Sequence, residues 1–307
     1  MAQHTIVMTG ATRGIGRIAL DRIATLDPDA HLVLLARGET SSRLAAELTA
    51  AGRAASGIAV DLLSLAGTRQ AADEVARRLD AGELPPLRGL VGNAGLQFTN
   101  DVTETSEGLE ATFAINVLAN HVLLRRLHDR FVSGSRITLT VSDTHFGDFR
   151  HNLGMVPGPS WQEPERLARI RAFPNPESVA AGRTAYSTSK LAAIHLIHEH
   201  ARRLPDGVDI VGYNPGFVPG TNLTRAADAL SRFAVRRIMP LMTLTPLATS
   251  KDDAGRYLAD AALSRTRATS GAYVNRGAEE RSSAESYDPI RECQLWDTAE
   301  ELTRSLG

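Results

Sequence analysis

The chain has 307 residues, 43% of them hydrophobic, which is enough for one large α/β domain with a substantial buried core. Lys and Arg number 34 against 35 Asp and Glu, so no overall field selects nucleic acid or an anionic membrane. Cys293 is the sole cysteine, excluding an internal disulfide framework and a Cys-rich zinc site; with no secretory leader or bilayer-length apolar run, a cytoplasmic protein without membrane contact is expected.

Apolar, β-branched runs at 5–9, 31–36, 55–60, 87–92, 136–141, 208–213 and 271–275 predict seven strands, each short enough to be buried on both faces. Helical periodicity lies between them at 14–26, 41–51, 64–80, 107–131, 185–204 and 251–264, with Ser64, Ser106 and Thr184 as caps. Alternating strands and helices call for right-handed crossovers and a parallel sheet covered on both sides, so the expected fold is α/β: a single doubly wound Rossmann domain over 1–307. Two stretches break the rhythm. The first, 143–183, carries Pro157, Pro159, Pro164, Pro174 and Pro176 and a short helix near 163–173; the second, 217–249, carries Pro219, Pro240 and Pro246. Long connections this rich in Leu, Phe, Met and Trp are expected to be substrate lids over the cleft.

The first strand runs straight into Thr9-Gly-Ala-Thr-Arg-Gly-Ile-Gly16. Gly10, Gly14 and Gly16 permit a tight turn and a close backbone approach to a pyrophosphate, whose charge would meet the start of the following helix at Ile15. Downstream, Tyr186 and Lys190 stand four apart in Tyr186-Ser-Thr-Ser-Lys190. On a helix that spacing puts a phenol and an ammonium on one face, where the ammonium can lower the phenol's pKa and ready it for proton exchange.

The spacing Thr-Gly-x-x-x-Gly-x-Gly, taken with Tyr186 and Lys190, resembles the short-chain dehydrogenase/reductase family over nearly the whole chain. The resemblance implies an oxidoreductase that moves hydride between a nicotinamide and a carbonyl or alcohol carbon, with Asn116, Ser142, Tyr186 and Lys190 as the catalytic tetrad. Asn116 would anchor a relay water. Ser142, or its neighbour Thr144, would bond the substrate oxygen. Tyr186 would act as acid or base, and Lys190 would support it and hold the nicotinamide ribose. Thr12, Arg13 and Ile15 belong to the implied nucleotide turn. Asp61 and Leu62 match the family's adenine pair, although Asp61 would serve equally as a helix cap. Asn93, Ala94 and Gly95 match its Asn-Asn-Ala-Gly motif, with Gly92 replacing the first Asn. Pro215, Gly216 and Val218 match its Pro-Gly turn, and Thr221 stands where a threonine contacts the carboxamide.

Arg37 follows the second strand, where an NAD-selective protein carries an acid for the ribose 2′-hydroxyl. With Arg13 it would attract a 2′-phosphate, so NADP(H) is the expected cofactor. The run at 214–223 and the tail at 271–275 resemble the branch that holds retinol dehydrogenases and light-dependent protochlorophyllide reductase. Two departures set the chain apart: no retinoid-type anchor is expected, and Cys293 is the only cysteine. Phe146, Phe149, Trp161, Phe173, Phe217, Leu223 and Met242 would either wall a pocket for a bulky hydrophobic substrate or form a satellite core. Arg225, Arg232, Arg236 and Arg237 read as a solvated face or an anion contact. No metal is expected, and His195, His198 and His200 read as structural or exposed. A homodimer through the helices near Glu107 and Ala185 and a monomer both remain open. Two other functions share the scaffold: a redox-neutral isomerase, dehydratase or cyclase using Tyr186, and a dinucleotide-sensing binding protein.

Overall fold

The computed structural model describes residues 2–152, 154, 156–219 and 248–304. Its centre is one sheet: β1 (His4–Thr9), β2 (Ala30–Ala36), β3 (Ala55–Ala59), β4 (Leu87–Gly92), β5 (Phe131–Thr140), β6 (Val208–Asn214), β7 (Tyr273–Asn275) and β8 (Ala278–Glu280), in the order β3-β2-β1-β4-β5-β6-β7-β8. All neighbours are parallel except β7 and β8. The eighth strand is a correction to the seven expected. Its Ala-Glu-Glu is exposed and shows no apolar alternation, and only the hairpin turn through Arg276, at φ 57°, places it beside β7.

Side-chain alternation splits the core into two layers. Val7, Val33 and Leu35 face one, and Ile6, Met8, Leu32 and Leu34 face the other. Helices α1 (Gly14–Leu26), α2 (Thr40–Ala50) and α3 (Leu65–Asp80) cross over between β1 and β4. Winding reverses where β4 is laid on the far side of β1, and that opens a crevice at the carboxyl ends of these two strands.

The long helix expected at 107–131 starts later and is interrupted. α4 (Ala111–Phe113) passes through a π turn (Ala114–Leu118) into α5 (Ala119–Leu127), and Phe131 already belongs to β5. Its cap is Glu110, whose carboxylate accepts from the Thr112 and Phe113 amides at 2.9 and 2.6 Å, while the Ser106 hydroxyl turns to Glu107. Ser64 does cap α3, accepting from the Gly67 amide at 3.1 Å. The helix of Tyr186 begins six residues earlier than expected, as α8 (Val179–Arg203), and Ser178 rather than Thr184 caps it. α9 (Lys251–Ala262) matches expectation, with Ser250 as its cap. An unexpected C-terminal helix, α10 (Pro289–Arg304), buries Leu295, Trp296 and Ala299 against α8.

The segment after β5 contains a 3₁₀ turn (Asp143–Phe146), α6 (Phe149–Asn152) and α7 (Pro164–Leu167). Its second half is docked against the core. Leu167, Ala168, Ala172 and Phe173 are buried, the Phe173 amide donates to Asp101 at 2.8 Å, and Thr298 donates to Glu165 at 2.6 Å. Phe173 belongs to the main core beside the sheet, and Trp161 packs against it, so neither fits the two alternatives as stated. Most of the second expected lid, with Thr221, Leu223, Arg225, Arg232, Arg236, Arg237 and Met242, lies outside the described residues. No helix among the described residues is long and apolar enough to cross a membrane.

Candidate active site

The glycine turn is built by close backbone packing. A Cβ on Gly16 would stand 2.0 Å from the Gly10 carbonyl oxygen, and one on Gly10, already at φ +68°, would stand 2.6 Å from the Ala94 amide nitrogen. Gly14 differs: it has φ +58° and open space where a side chain would be, so the turn presents bare backbone to the crevice. Asn93 braces this turn from below. Its Nδ2 donates to the Gly10 carbonyl at 3.1 Å, its Oδ1 accepts from the Thr140 hydroxyl at 3.0 Å, and the Ala94 amide donates to the Thr9 hydroxyl at 3.1 Å. One amide side chain thus fixes the ends of β1, β4 and β5 together. Gly92 has a steric reason as well, since the Asn120 Oδ1 would lie 2.5 Å from its Cβ.

Arg13 and Arg37 are both exposed beside this turn, Arg13 at the start of α1 and Arg37 just after β2. Neither has an ion-pair partner among the described residues. Asp61 is exposed and accepts from the Leu63 amide at 3.2 Å, a local turn, so the helix-cap alternative passes to Ser64; Leu62 is buried. Thr12 and Ile15 are half-buried along the turn. Across the crevice, Gly216 takes φ +72° after Pro215, and Val218 is buried.

The tetrad residues converge at the carboxyl ends of β4 and β5. Asn116 is buried in the π turn; it accepts from the Leu96 amide at 3.1 Å and donates to the Leu96 carbonyl and the Ser189 hydroxyl, both at 3.0 Å. Its side chain thereby ties β4 to α8. Lys190, buried one turn beyond Tyr186, donates to the Thr140 carbonyl at 2.9 Å, and its Nζ lies 5.6 Å from the centre of the Tyr186 ring. Ser142, half-buried at the end of the strand, is close enough to the Tyr186 phenol to lower its pKa, while the Thr144 hydroxyl is buried without a partner among the described residues. Of the two hydroxyls, Ser142's is the one facing the phenol.

The electrostatics correct one expectation. Burial pushes the Tyr186 phenol up to about 12; the Ser142 hydrogen bond pulls it back, and the Asp143 charge pushes it further up. Burial also brings the Lys190 ammonium down to about 8. The ammonium is held on the Thr140 carbonyl, and burial is the largest influence on the phenol. Burial also raises the Asp143 carboxyl, to about 6.

Several supporting residues were not singled out in the sequence. The Asn214 Oδ1 accepts from the Asp143 amide at 3.2 Å and the Gly216 amide at 3.1 Å, locking the Ser142 loop to the Pro-Gly turn. His145 bonds the Ser142 carbonyl through Nδ1 at 2.5 Å and accepts from the Ser283 amide through Nε2 at 3.1 Å, pinning the same loop to the C-terminal region. An Asn directly before Pro-Gly was a legible signal; the partner of His145, 138 residues away, was not. His198 pairs with Glu292 at 2.7 Å and His200 with His121 at 3.2 Å, while His195 is buried with its ring edge-on to Trp161. Among the described residues no His, Cys, Asp and Glu group could hold a metal.

Comparison with known proteins points the same way. The family model described as short chain dehydrogenase matches residues 4–146. The chain is 34% identical to the DnrU protein of Streptomyces sp. (strain C5), assigned as a daunorubicin C-13 ketoreductase, over 75% of this chain and 71% of that one. It is 25% identical to protochlorophyllide reductase A of Arabidopsis thaliana, over 98% of this chain and 77% of that one. Among solved structures, a blue fluorescent protein from a metagenomic library in complex with NADPH superposes with TM-score 0.60 at 24% identity, over 90% of this chain and 97% of that one. A short chain dehydrogenase from Burkholderia cenocepacia J2315 in complex with NADP gives 0.59 at 23%, with the same shares covered. At these identities the two structures establish the fold.

Proposed function

Since the chain belongs to the short-chain dehydrogenase/reductase family, we propose that it is an NADPH-dependent reductase of a carbonyl group on a hydrophobic small molecule, running in reverse as an alcohol dehydrogenase. One observation carries the reading: Tyr186 is buried beside Ser142 and Lys190, at the strand ends that border the crevice opened by the glycine turn. The turn suits a dinucleotide because Gly14 leaves bare backbone at the start of α1 and Gly10 and Gly16 tolerate no side chain. Arg13 and Arg37, exposed and without an ion-pair partner among the described residues, would meet a 2′-phosphate. Two relatives in the fold are complexes with NADPH and NADP, and the 34%-identical relative is assigned as a ketoreductase.

The bound nicotinamide supplies the hydride. The protein supplies the rest: the Ser142 hydroxyl bonds the substrate oxygen, the Tyr186 phenol gives that oxygen a proton, and Lys190, held on the Thr140 carbonyl, would hold the nicotinamide ribose. A phenol held near 12 is protonated at neutral pH, which is the form an acid needs for reduction. Asn116 positions Lys190's helix by bonding Ser189.

The test is Tyr186→Phe in a ketone panel with NADPH. Turnover, followed by loss of nicotinamide absorbance, should fall by roughly 10²–10⁴-fold with NADPH affinity nearly unchanged. Unchanged turnover refutes the acid role, and substrate conversion without loss of absorbance favours the redox-neutral class.

A further inference from the structure

We infer that the cavity bounded by Gly147, Phe149, Val156, Pro157, Val179 and Arg183 is the outer subsite for the substrate, and that it selects a flat aromatic ketone bearing a carboxylate paired with Arg183. The inference rests on the reductase reading and adds the chemical class.

The cavity, about 390 Å³, lies within the usual range for small-molecule sites. Its loop leaves the sheet at Ser142 and is tied back at Ser160, whose amide donates to the Thr188 hydroxyl at 3.0 Å, so both ends are anchored within two residues of the catalytic hydroxyl or phenol. Phe149 is 74% exposed and Val179 48%, two of the five large hydrophobic side chains so exposed among the described residues, and both line this one cavity. An apolar ligand covering them removes a cost that water imposes. The wall beside them is bare backbone, because Gly147 and Gly158 abut so closely that a Cβ on either would stand 2.9 Å from the other's Cα. Such a wall accepts the face of a ring system.

Among the described residues Arg183 is the only charged one lining the cavity. It is exposed and has no ion-pair partner among the described residues, whereas the nearby Asp148 carboxylate is engaged by His151 at 2.7 Å. Val179, Arg183 and Tyr186 follow one another at i, i+4 and i+7, a single stripe of α8, so Arg183 precedes the phenol by roughly 4.5 Å of helix rise. A ligand whose carbonyl meets Tyr186 and whose carboxylate meets Arg183 would therefore lie along this one stripe of α8. A guanidinium partly covered by a ring pairs more strongly than one in open water.

The test compares 2-acetylnaphthalene with 6-acetyl-2-naphthoate, which share the ring and ketone and differ by the carboxylate. With NADPH, the wild type should favour the acid in kcat/KM by about five- to tenfold or more, chiefly through KM. Arg183→Ala should bring the ratio near one, and Arg183→Glu should invert it. Arg150→Ala, an exposed arginine of the same loop off the cavity wall, should keep it. Equal rates for the two ketones in the wild type, a preference that survives Arg183→Ala, or a preference lost equally in Arg150→Ala overturns the assignment. If neither ketone oxidises NADPH, the reductase reading of these ketones fails, and calorimetric titration with 6-acetyl-2-naphthoate still decides the subsite: about fivefold or more weaker binding to Arg183→Ala supports it, and equal binding overturns it.

Discussion

The turn after β1 and the segment from Ser142 to Ser178 border the same site but are built in opposite ways. The turn is held by contacts between short stretches of backbone, where glycines at 10 and 16 stand against Ala94, Asn93 and each other. The segment is held by side chains whose partners lie far off in the chain: His145 with Ser283, Phe173 with Asp101, Glu165 with Thr298. A site of this kind needs both. Rigid backbone accommodates a cofactor that varies little, and a separately docked wall can be rebuilt for another substrate without disturbing it.

The contrast can be broken from the distal side first. Trp296 in α10 is buried between His121 and His200, with ring centres 5.1 and 4.8 Å away, and lies under Arg203 at 4.3 Å. Trp296→Ala should cost about 3–5 kcal/mol in denaturant unfolding. Unaltered stability would mean that α10 contributes little to the segment's wall.

His145 gives a pH test. Burial drops its imidazole to about 4 from an ordinary 6.5, so between those values the unfolded chain binds a proton that the folded chain does not. The stability it contributes is complete above pH 6.5 and is lost as pH falls toward 4. Gln keeps an acceptor for the Ser283 amide without titrating. Melting temperatures from pH 7 to 4 should therefore fall less steeply in His145→Gln, a difference of up to about 3 kcal/mol. Parallel curves would show that His145 does not pin the loop.

On the side of the turn, Gly16→Ala forces a Cβ into the Gly10 carbonyl, and roughly 1–3 kcal/mol of destabilisation is expected, with NADPH affinity lost in fluorescence titration. The smallest effect is Arg37→Asp, which should lower the preference for NADPH over NADH by about tenfold with stability unchanged. A constant ratio would remove Arg37 from the phosphate site.

Much of the first region was legible because its signals are local. The Thr9–Gly16 spacing, the Tyr186–Lys190 interval and the alternation of strands and helices each depend on a few neighbouring residues, and the family resemblance rested on them. Gly92 already marked a departure, but its reason, the Asn120 side chain, needed coordinates. The helix caps show the limit clearly. Ser64 was read correctly from sequence. Ser106 and Thr184 were not caps, because Glu110 and Ser178 hold the amide donors instead, and nothing local ranks one polar side chain above another a few residues away.

By itself the sequence determined the alternation of strands and helices and the glycine turn after the first strand, since backbone sterics and hydrophobic period act over a handful of residues; the family resemblance added Asn116, Ser142, Tyr186 and Lys190 as candidates. Only the tertiary structure decided that half of the long insertion is a docked wall, that the Thr144 hydroxyl is buried while Ser142 lies near the phenol, and that burial is the largest influence on that phenol's pKa. Those outcomes depend on desolvation and on residues far apart in the chain, which no local pattern encodes.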